Sequence, residues 1–307
     1  MSQILRGGVI GAGVFGAHHA RKYASLPGSV LSAVYDVDAQ RAAALAMPLG
    51  GRAFGDLASF FEAVDVVTVA SPAVLHGEHA LAALAAGKPI YVEKPLAVSL
   101  DDAERIQALA AQRDLVVACG HQERVLFRAI GLFDAPEPPL RLEAVRHGPV
   151  SDRSLDVSVV LDLMIHDLDL ALALSPSEAV TAEGDGVRDY SGGWDAARAE
   201  VTFADGFTAA FDVSRMAPER KRTMRVVYAT GEVEIDFISR AFRNTTGWPL
   251  DPDFAEAPAV KDTLGASVES FLNAVRGDAP RPEVTAAEAT RALDLALAIE
   301  QALEEHG

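Results

Sequence analysis

Three stretches of this chain carry residues whose types and spacing suit chemistry. The first is Gly11-Ala12-Gly13-Val14-Phe15-Gly16, set between a short apolar run and an amphipathic one. In such a turn the first glycine permits the tight bend, the second lets a pyrophosphate approach the backbone, and the third lets helix and strand pack closely. The following helix start, at Val14 and Phe15, offers N–H groups to phosphates. Asp36 ends the next apolar run, where a carboxylate holds adenosine ribose hydroxyls and repels a 2′-phosphate. The pattern predicts a site for NAD rather than NADP. The plainer alternative is a packing turn with Asp36 as a surface cap.

The second stretch is Glu93-Lys94-Pro95, which follows a strand of the same predicted sheet. Ligands bind beyond the carboxyl ends of such strands, so Glu93 and Lys94 are cofactor-binding candidates. Lys94 there can hold a hydroxyl or stabilise the alkoxide that forms as a hydride leaves; an ordinary solvated lysine is the other reading. Ser71-Pro72 and His76 follow another strand end and are cofactor-cleft candidates, with a helix-start role equally open for His76. The third stretch is Leu161–Leu170, an apolar helix in which Asp162, His166 and Asp169 stand at i, i+4 and i+7 on one stripe. Polar groups on a buried helix need partners or a cavity. Asp162 could orient His166, and His166 could take a proton near neutral pH; a purely structural Asp–His bond fits equally. No third metal ligand is evident, so no metal is expected. In Gly120-His121-Gln122-Glu123-Arg124, Arg124 could clamp a phosphate or pair with an acid. His18 and His19 are expected as surface or packing residues, and His147 and His306 at the surface.

The elements that must position these groups fall into two rhythms. Residues 8–10, 30–35, 64–69, 90–92 and 115–119 read as strands, separated by helical patterns near 14–25, 38–46, 78–86 and from Ser99 onward. This alternation predicts a parallel sheet with helices on both faces. After about residue 121 the pattern changes. Asp205-Gly206 and Thr230-Gly231 each separate two half-apolar runs and signal hairpins. Residues 244–261 read as a long loop, and helices are expected near 264–275 and 285–303. The predicted architecture is an α/β Rossmann dinucleotide-binding domain, 1–121, followed by an α+β domain, 122–307, with an open, mainly antiparallel sheet.

Composition bounds the partners. The 307 residues carry 27 Lys and Arg against 44 Asp and Glu, a net charge of −17, which opposes general affinity for nucleic acid or anionic lipid. The single cysteine, Cys119, excludes an internal disulfide. The first residues, Met1–Arg6, show no secretory pattern, and no apolar run reaches the roughly 18 residues of a membrane helix. A cytoplasmic protein with a small-molecule substrate is expected.

Together, Gly11–Gly16, Asp36, Glu93-Lys94-Pro95, the Asp162-x-x-x-His166 helix and the closing segment from Val284-Thr285 to Ile299 resemble the Gfo/Idh/MocA family of sugar and cyclitol dehydrogenases. The resemblance implies that Lys94 sits beside the nicotinamide and substrate. It implies His166 as the acid/base and Asp162 as its partner or a ligand of a substrate hydroxyl. It implies hydride transfer from a ring C–H to NAD, with Lys94 and His166 converging on one hydroxyl. It also implies homodimers or homotetramers through the second-domain sheet. The Gly120–Arg124 and Leu161–Asp167 segments are similar to the UDP-N-acetylglucosamine 3-dehydrogenase-like branch. They imply His121 and Arg124 near the substrate, with Arg128 and Arg146 as further candidate cations. That branch has Phe-Asn-Pro after the arginine, where this chain has Val125-Leu126-Phe127. A dehydrogenase of a free cyclitol such as myo-inositol, and a noncatalytic nucleotide sensor, are the alternatives.

Overall fold

The computed structural model describes residues 4–151, 155–175, 177–189 and 191–306. The chain begins with β1 (Leu5–Ile10), α1 (Val14–Ser25), β2 (Ser29–Tyr35), α2 (Ala39–Ala46), β3 (Arg52–Phe54) and α3 (Leu57–Glu62). It continues through β4 (Val66–Val69), α4 (His76–Ala85), β5 (Ile90–Val92), α5 (Leu100–Arg113) and β6 (Val117–Cys119). Next come α6 (Arg124–Ile130), β7 (Arg141–His147), a π-helical turn (Val160–Met164) running into α7 (Ile165–Leu174), β8 (Ala179–Val187), β9 (Ala196–Phe203) and β10 (Thr208–Ser214). The remainder is β11 (Lys221–Tyr228), β12 (Gly231–Asp236), β13 (Phe242–Asn244), α8 (Pro258–Lys261), α9 (Thr263–Arg276) and α10 (Ala286–His306).

Two compact units emerge, residues 1–122 with 262–290 and residues 123–261 with 291–307. The first holds a six-stranded sheet in the order β3-β2-β1-β4-β5-β6, every pairing parallel. That order places the topological switch point between β1 and β4, where doubly wound sheets bind their ligands. Its strands are nearly continuous in buried residues, as both faces are covered by helices. Side-chain caps set the helix starts. Asp38 accepts from the backbone of Gln40 and Arg41, and Ser99 from that of Asp102.

The sequence reading places all of 122–307 in the second domain, but residues 262–290 belong to the first unit. The cause is apolar burial: Val268, Phe271 and Leu272 of α9 join one core cluster with Tyr23, Val66 and Tyr91. Tyr91 also shares a hydrogen bond with Ser267, their oxygens 3.0 Å apart.

The second unit holds a seven-stranded sheet in the order β13-β12-β11-β7-β10-β9-β8. Only β7 and β10 pair in parallel; every other pairing is antiparallel. Along β7 and β10, buried and half-exposed residues alternate, so one face is packed and the other is open. Both hairpins predicted around Asp205-Gly206 and Thr230-Gly231 are present, as β9–β10 and β11–β12. The segment read as a long loop contains a 3₁₀ turn at Phe254–Glu256 and the short helix α8. Replacing Phe271 by alanine should destabilise the first unit by about 3–5 kcal/mol, the usual cost of deleting a buried aromatic ring. Chemical denaturation measures this, and a loss under about 1 kcal/mol would contradict the assignment of α9 to that core.

Candidate active site

In the first unit the glycine turn has the geometry that a dinucleotide requires. Gly11 sits at φ +100, and a Cβ there would lie 2.6 Å from the Ala70 carbonyl oxygen. A Cβ on Gly16 would lie 1.8 Å from the Gly11 carbonyl oxygen. Gly13 differs: a Cβ there meets nothing within 4 Å, so the turn is open on the side where phosphates would approach. Gly13 caps α1 without a side-chain hydrogen bond, and no acidic residue occupies the first turn. The helix start therefore presents its N–H groups and partial positive charge to an incoming anion. Val14 and Phe15 are exposed apolar residues beside it.

Asp36 follows β2. One carboxylate oxygen accepts from the Ala12 N–H at 2.7 Å, and the other from Asp38 N–H at 2.8 Å. These bonds fix the carboxylate beside the turn, and Arg41 reaches it at 3.3 Å. Glycine turn, uncapped helix start and fixed carboxylate together fit an NAD molecule.

Buried polar contacts lie behind the ends of β4 and β5, and His76 is the first residue of α4, the helix-start role left open for it. Ser71 is half-buried, with Oγ 2.9 Å from His79 Nδ1, and Pro72 is exposed. His76 and Glu93, predicted to bind the cofactor, are only 2% and 6% exposed. His76 lies between two carbonyl oxygens, with Nδ1 2.6 Å from Pro95 and Nε2 2.9 Å from Ser71. Glu93 Oε1 lies 2.6 Å from His19 Nε2 and accepts from Gln122 Nε2 at 3.4 Å. Burial opposes charge on Glu93, but the bond and charge of His19, with that of Lys94, outweigh it, and its pKa falls. Lys94 between them is half-buried. His19, expected as a surface or packing residue, is thus a buried partner of an acid; His18 is exposed as expected.

In the second unit His166 meets an acid that the sequence reading did not name. Its Nδ1 lies 2.8 Å from Glu123 Oε2. Arg146 Nη1 donates to the other oxygen of Glu123 at 3.0 Å, and its Nε and Nη2 donate to the two oxygens of Asp167 at 3.0 and 2.8 Å. Arg146 is 2% exposed and lies over the Phe237 ring. Burial works against the charge on Glu123, yet His166 and Arg146 hold its pKa well below the ordinary glutamate value. A lowered native pKa contributes stability above the unfolded glutamate range, and that contribution is lost as pH falls through the native value.

Asp162 sits on the π-turn, where the α-helical spacing behind the stripe argument does not apply. Its carboxylate is 4.0 Å from Arg215. Asp169 takes a two-pronged bond from Arg124, whose Nε and Nη2 donate at 2.8 and 2.7 Å. Of the cations considered for a phosphate, Arg124 and Arg146 are thus buried in acid pairs, and Arg128 is exposed over the Phe133 ring. His121 is 1% exposed. His147 is half-buried with Nε2 2.9 Å from Asp212, and the His306 side chain lies outside the described residues.

Sequence reasoning missed Glu123 as the acid of His166 and the buried fork of Arg146 on Asp167; for Arg124 it left pairing with an acid open without naming Asp169. Glu123 stands in the segment singled out for Arg124, but nothing local shows that it meets a residue 43 positions away. Among the described residues no group of histidine, cysteine and acidic side chains could hold a metal ion, and no helix is long and apolar enough to cross a membrane.

Residues 5–121 match the oxidoreductase family, NAD-binding Rossmann fold, and residues 127–234 match the GFO/IDH/MocA C-terminal domain. The chain is 37% identical over 288 residues to the UDP-N-acetylglucosamine 3-dehydrogenase of Acidithiobacillus ferrooxidans, spanning 90% of both. A solved structure of that enzyme superposes with a TM-score of 0.88 at 34% identity, covering 99% of each chain. The inositol 2-dehydrogenase 3 of Saccharopolyspora erythraea is 34% identical over 189 residues, 58% of this chain and 56% of that one. The chain belongs to the Gfo/Idh/MocA oxidoreductase family and is an NAD-dependent dehydrogenase.

Proposed function

We propose that the protein oxidises the 3-hydroxyl of a UDP-N-acetylhexosamine with NAD, and that His166 is the base. The observation that carries this reading is the Glu123–His166 pair. Because Glu123 is held as a carboxylate, it acts as acceptor, so Nδ1 of the neutral imidazole carries the proton. Nε2 then bears the lone pair and can take the hydroxyl proton as the carbinol is oxidised. Glu123 orients the ring and stabilises the imidazolium formed, without itself taking the proton.

When bound, NAD supplies the hydride acceptor for the carbinol carbon. Gly11, Gly13, Val14, Phe15 and Gly16 would hold its pyrophosphate, Asp36 its adenosine ribose, and Ser71 and Pro72 the edge of its site. Lys94 places a cation at the substrate oxygen, where negative charge develops as the C–H bond breaks. Asp162 is a candidate ligand for a substrate hydroxyl. The nucleotide sugar is favoured by 37% identity over 90% of the chain to the enzyme named for it. A free cyclitol is the second reading, favoured by the shorter match to the inositol enzyme.

We also propose a cytoplasmic homodimer or homotetramer joined through the open face of the second unit's sheet. The features that support it are the half-exposed outer residues of β7, β10 and β11. They carry a charge ladder in which Glu143 bonds Arg141 at 2.9 Å and Arg225 at 3.1 Å.

Incubation with NAD, UDP-N-acetylglucosamine and a carbonyl trap should yield NADH and a trapped 3-ketone. His166→Ala should lower kcat by about a hundredfold or more while NAD binding is retained. Turnover of inositol with none of the nucleotide sugar would replace this substrate by the second reading, and near-normal kcat in the variant would remove His166 from the mechanism.

A further inference from the structure

Lys94 lies between two residues that are each fastened by a buried imidazole. On one side, Glu93 Oε1 is 2.6 Å from Nε2 of His19, a wholly buried residue of α1. Thr68 Oγ1 is 3.5 Å from the other ring nitrogen, and Tyr23 OH is 2.9 Å from that threonine oxygen, so the ring is held from both ends. On the other side, the Pro95 carbonyl oxygen is 2.6 Å from Nδ1 of His76, the first residue of α4. The second nitrogen of His76 faces the Ser71 carbonyl at 2.9 Å; a neutral ring donates to only one of the two carbonyls, and the shorter contact assigns the donor to Nδ1, toward Pro95. Glu93 and Pro95 are buried, whereas Lys94 is not.

A lysine has a long, flexible stem, so the position of its ammonium depends strongly on where its backbone is anchored. Neither histidine is exposed enough to serve as a ligand, and a buried imidazole, or a glutamate held below its ordinary pKa, carries a desolvation cost that an apolar pair would not. We propose that His19 and His76 are positioning residues for Lys94, fixing the peptide on either side of it so that its ammonium reaches the substrate oxygen. The proposal rests on the role given to Lys94 above.

The test measures kcat, KM and thermal stability with NAD and UDP-N-acetylglucosamine for six variants. These are K94A, H19L, H19Q, H76N, H76Q and the double substitution K94A/H76Q. His19→Leu should lower kcat by about tenfold or more with little change in KM for NAD, as a displaced catalytic group does. His19→Gln, whose amide nitrogen can replace Nε2 toward Glu93, should recover most of that loss. His76→Asn keeps a donor toward Pro95, and His76→Gln keeps one only toward Ser71, so the asparagine variant should be the more active. In the K94A background H76Q should cause no further loss of kcat, because coupled residues are not additive. If Lys94→Ala turns over normally, the role of Lys94 itself falls. If Lys94→Ala is impaired but H76Q adds its full loss on top, the positioning role falls and the role of Lys94 stands. Should His19→Leu fail to fold, the ranking of H76N over H76Q decides, and equal or reversed activities overturn the proposal.

Discussion

The chemistry proposed for the second unit depends on one largely buried carboxylate remaining charged. Glu123 is contacted by His166 on one oxygen and by Arg146 on the other. Taking such a group out of water costs several kcal/mol unless opposite charge and hydrogen bonds compensate. Arg146 supplies both, and is itself compensated by its two-pronged bond to Asp167. Without the arginine, Glu123 would gain a proton more readily, and the preference that sets the His166 tautomer would be lost. Arg146, itself held by Asp167, therefore supports the proposed proton transfer through Glu123. The neighbouring fork of Arg124 on Asp169 repeats the device two residues further along α7.

The first unit solves a different problem with less charge. Its candidate phosphate site is made from backbone: a turn that excludes side chains at Gly11 and Gly16, an open approach at Gly13, and a helix start with no side-chain cap. Asp36 adds the single carboxylate, pinned by the Ala12 N–H. The strand ends then meet polar groups buried behind them, where His19, Glu93 and His76 join helices to loops. Histidine serves both units: in one it is the proposed proton carrier, and in the other it fastens backbone.

Much of this was legible in the sequence where the signal is local. The glycine turn and Asp36 sit close together in one supersecondary unit, and residue type alone limits what can stand there. The hairpins were legible because their turns carry glycine between half-apolar runs. Pairings between distant segments were not. α-Helical spacing points only to Asp162 beside His166; the π-turn alters that spacing, and Glu123 arrives from another element. His19 gives no hint in its neighbours of an acid 74 positions away. The strand Ala179–Val187 was overlooked because it is an edge strand with exposed and half-exposed residues and little apolar periodicity. The apolar face of α9 announced burial but not against which core, so the return of residues 262–290 to the first unit needed three dimensions.

The claim on which the mechanism turns is the proton position on His166, and nitrogen-15 NMR of the imidazole reports it directly. In the neutral ring the account predicts a protonated Nδ1 and an unprotonated Nε2, with that preference weakened in Glu123→Gln. A neutral ring protonated at Nε2 would contradict it, because the nitrogen assigned to accept the substrate proton would already carry one.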